Sequence, residues 1–414
     1  MSDAREAVTP QRPAFGPVAI LAGLVVAVLP VGGVVTIGVG PKSAGISAAQ
    51  LLIVALAIVL AVLAIRSSSF PDWRRLPLSF VLLGGAILLA VPAFLPADRP
   101  AALFAYFNFI AGVVGAVCVG WTWNAAGARR FNAVDAGFVV FVLYGCGQLV
   151  VAFLTASGGQ TLHQSAEAAW GGSNYIAGVL VVAGFALAGR AWQLRGRYLL
   201  LIIPAACALV IPLFSASRGA IVEVAVGAIV ILWGLGRTRL QKWIWRTASI
   251  VVPIGAYVLI NMAVASRLRR DTQVLKNVDD RFVLYRLSGE QFLSSPIWGT
   301  GWTSLRGPSK EALGAPQSFG HNFFLSFLQI GGLLALPFIV CVIVMAILVV
   351  IKGGVLGAAA AAALTIAMTD PFFEGTAASV VALAVIVFAL RQRPNGEPIV
   401  SLTRHRRQIA PVAR

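Results

Sequence analysis

SRLRRDTQVLKNVDDRFVLYRLSGEQFLSSPIWGTGWTSLRGPSKEALGAPQSFG, residues 266–320, is a long polar segment in an otherwise oily chain, and it ends against the pair His321-Asn322. It carries eight basic residues (Arg267, Arg269, Arg270, Lys276, Arg281, Arg286, Arg306, Lys310) against five acids (Asp271, Asp279, Asp280, Glu290, Glu311). The runs on either side, Ile244–Ala265 and His321–Ile351, are apolar over the ~20 residues that a helix needs to cross a bilayer at ~1.5 Å per residue. The segment therefore reads as a loop between membrane spans, where water, charge and reactive side chains meet.

Composition sets the class. With 59% hydrophobic and 11% charged residues and a mean hydropathy of +0.88, a soluble 414-residue chain would expose more apolar area than water tolerates. The net charge of +17 does not point to nucleic acid, because no aromatic-basic platform accompanies it. In polytopic proteins such charge sits in short cytoplasmic loops, sets orientation and meets anionic lipid. Cys118, Cys146, Cys207 and Cys341 all fall inside apolar runs, as small core residues do.

Taken in order, a polar tail (residues 1–13) precedes an apolar run from about Phe15 to Gly38, read as a retained helix that also acts as signal anchor. Further runs lie near residues 46–65, 76–95, 101–123, 133–155, 173–194, 198–214, 219–236, 244–265, 321–351, 354–368 and 376–390. The expectation is an all-α polytopic membrane protein of about twelve spans. Nine lie within residues 14–265, a large loop containing short helices follows at 266–320, three more spans occupy 321–391, and a basic tail closes the chain at 392–414. With both termini cytoplasmic, 21 of the 32 Lys and Arg residues fall inside; without the long loop the outside holds only Lys42, Arg99 and Arg218. The cations of the loop are then an exception that needs its own reason.

Several features have ordinary readings. Gly353 to Ala363, with six consecutive alanines, suits a close helix contact in lipid. Pro92, Pro204, Pro212, Pro253 and Pro337 are candidate kinks. Ser217-Arg218-Gly219 forms a short outer hairpin whose guanidinium either snorkels to headgroups or binds an anion. Asp370 and Glu374 are candidate caps, one ending a helix and the other near the next N-terminus. Glu223 is an intramembrane acid and so a functional candidate. Within the loop, Asp280 is placed to cap an amphipathic helix over Arg281–Leu293, lying at the membrane surface with its arginines turned to an anionic group.

Ser217-Arg218-Gly219 opening a helix, Arg281 with Tyr285 four on, Pro296-x-x-Gly299-x-Gly301, and His321-Asn322 opening a helix that ends in Gly331-Gly332-Leu333 together resemble the O-antigen ligase and polymerase superfamily. The topology, with one large outside loop before the last three spans, is also similar. The resemblance implies a glycosyltransferase-C-like fold in a bacterial inner membrane, with its site facing the periplasm. It implies metal-independent, inverting transfer of a glycan from undecaprenyl pyrophosphate to a sugar hydroxyl of a lipid-linked acceptor such as lipid A core, with no cofactor. By the same likeness His321 is the general base, Arg218 and the loop-helix arginines bind pyrophosphate, and Asn322 and Ser217 support them. Tyr285 stands where the family more often has tryptophan, and Arg286 beside Arg281 leaves two guanidiniums competing for the donor.

The residues support this chemistry on their own terms. Displacing a pyrophosphate leaves negative charge that either a divalent metal or fixed cations must stabilise. The outside loops offer guanidiniums, which bind phosphate in a bidentate fork, rather than clustered carboxylates. A neutral imidazole suits removal of the hydroxyl proton. His321 is therefore assigned as base, Arg218 and Arg281 as pyrophosphate ligands with Arg286 assisting, and Asp370 as the group that orients the imidazole. A transporter or flippase is the alternative from another class, but no six-plus-six repeat is visible. Ligase and polymerase need the same groups; the compact loop, with one arginine-rich element, tilts the choice toward ligase.

Overall fold

The computed structural model describes residues 16–31, 33–39, 42–66, 77–127, 130–155, 173–194, 199–214, 217–236, 238–268, 273–314 and 316–392. The tail at 1–13 and the basic tail beyond Gln392 fall outside these residues. The architecture is helical: α1 (Gly16–Ala27), α2 (Ala48–Arg66), α3 (Pro77–Leu88), α4 (Arg99–Ala125), α5 (Ala133–Thr155), α6 (Ser173–Gln193), α7 (Leu199–Phe214) and α8 (Arg218–Gly234). It continues with α9 (Arg239–Leu268), α10 (Gln273–Ser294), α11 (Arg306–Leu313), α12 (Phe323–Gly331), α13 (Leu336–Lys352), α14 (Gly354–Ala367) and α15 (Thr376–Leu390). Among the described residues, seven helices are long and apolar enough to cross a membrane, and four further apolar helices are shorter. This is a multi-pass membrane protein.

Three elements differ from the sequence reading. The first apolar run is not one helix: α1 stops at Ala27, and β1 (Gly33–Val39) pairs antiparallel with β2 (Lys42–Ser47). Pro30 cannot continue the helix, and the β-branched Val34, Val35, Thr36 and Ile37 favour the pleat. The run at 321–351 is likewise broken, into α12 and α13, by a 3₁₀ turn over Gly332–Ala335; Pro337 opens α13 and Pro92 sits in a 3₁₀ turn after α3, so neither kinks a helix interior. Finally, α10 begins seven residues before Asp280, which is therefore inside the helix and not its cap.

Helix α15 is buried from Ala377 to Ala389 and packs on α4, whereas α9 is exposed along most of its length, as a lipid-facing helix is. The alanine run does make a close contact: Ala358–Ala363 are buried where α14 meets α6, α8 and α13. Small residues do this because, between helices in lipid, backbone approach and van der Waals contact supply the attraction.

The two ends of the bundle differ in chemistry. At one end Asn132 caps α5, accepting from Val134 N and Asp135 N, while Asp135 Oδ2 accepts from Asn132 N. Arg190 Nε and Nη2 donate to Asp135 Oδ1 at 2.7 Å and Oδ2 at 2.8 Å, and Trp123 Nε1 donates to Oδ1 at 2.7 Å. Nη1 reaches Gln193 Oε1 and Nη2 also reaches the Arg130 carbonyl. Arg190, assigned from sequence to a cytoplasmic loop, is instead fully buried in a pair that joins α4, α5 and α6. Lys352 Nζ donates to the carbonyl oxygens of Leu390 and Gln392 at the end of α15. At the other end of these helices lie Tyr175, Asp370, Thr376 and the start of α12.

Breaking the buried pair on one side leaves an uncompensated charge, which costs about 3–5 kcal/mol. Asp135→Ala is expected to lower the thermal stability of the purified protein sharply, and Asp135→Leu with Arg190→Met to recover most of the loss. Heating followed by size-exclusion chromatography measures both.

Candidate functional site

Asp370 follows directly on α14, its N–H bonded to the Ile366 carbonyl at 2.9 Å, in a segment of two turns that leads to α15. The segment turns its carboxylate inward, toward Arg281 and His321, which sets aside the ordinary reading of Asp370 as a helix cap. Arg281 Nη2 donates to Asp370 Oδ1 at 3.1 Å, and His321 Nδ1 stands 3.6 Å from the same oxygen. The Thr369 hydroxyl lies 3.4 Å from Oδ2. Three segments distant in sequence, α10, the entry to α12 and the exit of α14, thus meet at one carboxylate that is 10% exposed.

Each partner is held by its own local structure. Asn322 caps α12, accepting from Phe324 N and Leu325 N, and its Nδ2 donates to the Met368 carbonyl at 3.1 Å. That bond ties the histidine segment to the Asp370 segment. His321 itself has φ of 54°, a left-handed conformation that costs a non-glycine residue energy, and its Nδ1 has no hydrogen-bond partner. Tyr285, one turn beyond Arg281, donates its hydroxyl to the His321 carbonyl at 3.4 Å. Burial pushes the Tyr285 hydroxyl up, with Arg281 opposing and Asp370 adding, so it stands as a neutral donor. Ser217 caps α8 through Ala220 N, which sets Arg218 at the first helical position. There the Arg218 guanidinium feels the charges of both Arg281 and Asp370.

Arg286 is placed differently. It is exposed on the outer side of α10, 3.6 Å from Glu290, one turn on. Of the two loop-helix guanidiniums, only Arg281 enters the site. On the same helix Leu284 and Ser288 form the side buried in the protein, while the apolar Phe282 and Leu293 are exposed.

Residues 203–340 match the O-antigen ligase family. The likeness to that family covers this stretch, a third of the chain. The matched stretch runs from α7 into α13 and contains Arg218, Arg281 and His321, while Asp370 lies beyond its end. No curated protein matches the sequence.

The superfamily motifs quoted above have a mechanical meaning here. Thr300 N and Gly301 N donate to the carbonyls of Gln329 and Ile330 at 2.8 and 3.0 Å, and Leu333 N donates to the Pro296 carbonyl at 2.8 Å. Pro296-x-x-Gly299-x-Gly301 and Gly331-Gly332-Leu333 are therefore two halves of one clamp. Gly299 and Gly332 have φ of 69° and 54°, and a Cβ on either would overlap backbone of the other half. Trp302 drives the loop into the bundle: it is fully buried, donates Nε1 to the Leu89 carbonyl at 2.9 Å and meets the rings of Phe109 and Phe327. Gln291, Thr300, Ser304 and Gln329 add a hydrogen-bonded cluster that joins α10 to α12.

Two buried acids adjoin the site. Glu223 on α8 faces Gly178 of α6, and neither of its oxygens has a hydrogen-bond partner. Glu374 directly precedes Gly375, the N-cap of α15, as expected, but it is buried there, beside Ser326 and Tyr175. Burial pushes its carboxyl from the ordinary 4.5 up to about 7, with Asp370 adding and the neighbouring Ser326 hydroxyl and backbone opposing. Among the described residues, no three His, Cys, Asp or Glu side chains gather as a metal site requires.

A carboxyl raised by folding releases its proton first in the unfolded chain, so stability is full below the ordinary value and falls as pH rises. For Glu374 the loss runs from about 4.5 to about 7 and then levels off. Glu374→Gln is expected to flatten that part of the stability profile, measured as unfolding temperature against pH. Gly299→Ala is expected to lower the unfolding temperature at every pH, because the clamp cannot close around a Cβ.

Proposed function

We propose that this chain is an O-antigen ligase-type glycosyltransferase that moves a glycan from undecaprenyl pyrophosphate to a sugar hydroxyl of a lipid-linked acceptor, lipid A core being the leading case. The reaction takes place on the periplasmic face of a bacterial inner membrane and gives an inverted anomeric centre. The observation that supports this best is the convergence of Arg281, Asp370 and His321 from three distant segments, with Arg218 within reach of their charges.

In this reading Arg218 and Arg281 take the two phosphates, replacing lost water with fixed cations at the point where negative charge grows. Asp370 holds Arg281 in place and faces His321 Nδ1. With Nδ1 turned to the carboxylate, Nε2 is the nitrogen left to accept a proton. The acceptor oxygen forms its bond to the anomeric carbon as the bond to pyrophosphate breaks, and the bonding pair leaves on the phosphate oxygen. The hydroxyl proton passes to Nε2, and the imidazolium that results is stabilised by Asp370. One displacement at carbon inverts its configuration. Asn322 and Ser217 act as the caps that aim His321 and Arg218, and Arg286 is left on the outer face.

Purified protein in vesicles, supplied with a lipid pyrophosphate-linked glycan and acceptor, tests the assignments. His321→Ala and Arg281→Ala are expected to reduce transfer by ~10²-fold or more, Asp370→Asn to reduce it less, and Arg286→Ala to leave it near the unmodified rate. Normal transfer by correctly inserted His321→Ala protein removes the base assignment. Ligase and polymerase separate in a deletion strain: finished chains retained on the lipid carrier fit a ligase, and single repeats fit a polymerase.

A further inference from the structure

The turn that follows α10 is rigid yet presents large apolar side chains outward. Gly299 N bonds the Ser295 carbonyl at 2.8 Å, and Leu333 N bonds the Pro296 carbonyl at 2.8 Å, so the turn is fixed at both ends. Between those bonds Ile297 is 55% and Trp298 53% exposed. Four positions on, Trp302 is fully buried, so tryptophan in this loop is not outward by default.

What covers the two side chains follows from the helix they sit on. Leu333, at the clamp, begins a row of exposed apolar residues that continues down α13 through Val340, Ile347 and Ile351. Their spacing of seven, seven and four keeps them on one helix face, the face this helix turns to lipid. From Leu333 to Ile351 the rise is ~27 Å at ~1.5 Å per residue, against a hydrocarbon thickness of ~30 Å. The row thus spans the oily layer, and its Leu333 end marks one boundary of it. Ile297 and Trp298 are bonded to that end, at the level where the amphipathic indole is favoured, its ring in acyl chains and its N–H among headgroups.

We propose that Ile297-Trp298 is an interfacial anchor that seats the polar loop in the headgroup layer of the bilayer its helices cross. The partner is the phospholipid monolayer itself. Because α10 ends at Ser294, directly before the turn, the anchor also fixes the depth of Arg281. On the functional reading above, that depth is where the phosphates of a lipid-linked donor lie, so the anchor biases the site toward substrates held in the membrane.

A nitroxide at Trp298→Cys in phosphatidylcholine–phosphatidylglycerol vesicles tests this, with Val340→Cys as the lipid-facing reference and Glu311→Cys, on α11, as the aqueous one. Label on the unmodified protein gives the background from its own cysteines. The ratio of oxygen to nickel-chelate accessibility at 298 is expected to be severalfold above that at 311 and to approach that at 340; a ratio equal to that at 311 overturns the anchor. Trp298→Phe preserves packing and supplies a second readout. Brominated lipid is expected to quench the unmodified protein by a larger share than the variant, and equal quenching overturns the proposal. Neither measurement needs glycan transfer, so the anchor can fail while the functional reading stands, and the reverse.

Discussion

A carboxylate at the mouth of a helical bundle is costly unless cations face it, since desolvation disfavours the charged form and only pairing offsets the penalty. Asp370 meets that constraint at one oxygen, Oδ1, which accepts from the Arg281 guanidinium, with His321 Nδ1 3.6 Å from the same atom. The interaction has a structural result before any chemical one: it draws a loop helix and the entry of α12 onto the exit of α14. The polar loop is thereby folded over the end of the bundle instead of hanging free beside it. Trp302 and the glycine clamp reinforce the closure from the other side, by apolar burial and backbone pairing.

The contrast with the far end of the same helices shows how burial and satisfaction divide labour. There Asp135 and Arg190 are completely enclosed, and their forks are met by each other, by Trp123, by Gln193 and by a carbonyl. Such a network holds helices together, with the Asp135 carboxylate and the Arg190 guanidinium both paired, although Asn132 Nδ2 and Gln193 Nε2 beside them have no hydrogen-bond partner. At the site end His321 Nδ1 and both Glu223 oxygens lack hydrogen-bond partners, and His321 sits in a left-handed backbone conformation. What sets this end apart is an ionisable side chain held in a strained backbone beside a partly exposed carboxylate, which suits the binding site proposed for it.

Much of this was legible in the chain. Apolar runs gave the helices because a membrane span is a long, one-dimensional signal, and α4, α5 and α6 fall where their runs do. Breaks were harder to read. Gly331-Gly332 and Pro30 sit inside stretches whose hydropathy never falls, so hydropathy alone passes over the 3₁₀ turn and the β-hairpin. Asp280 looked like a cap because polar residues preceded an apolar pattern, yet α10 starts earlier, in a segment too polar to show a period. Charged residues inside runs were passed over: Asp135 and Arg190 lie within apolar segments, yet Arg190 counted as a loop cation, and only the structure shows the pair they form.

Sequence by itself determined that the chain spans a membrane many times, and that the proposed site residues Arg218, Arg281 and His321 stand at helix ends or in the polar loop. These are properties of composition and period, and they survive without any knowledge of contacts. Tertiary structure alone decided which guanidinium faces inward, since Arg281 and Arg286 are equivalent in composition and differ only by where the helix face turns. It also decided that Asp370 and Glu374, both at helix ends, are buried, and that the two glycine motifs form one clamp. Those outcomes depend on which distant segments approach each other, and approach is set by packing, which no local pattern encodes.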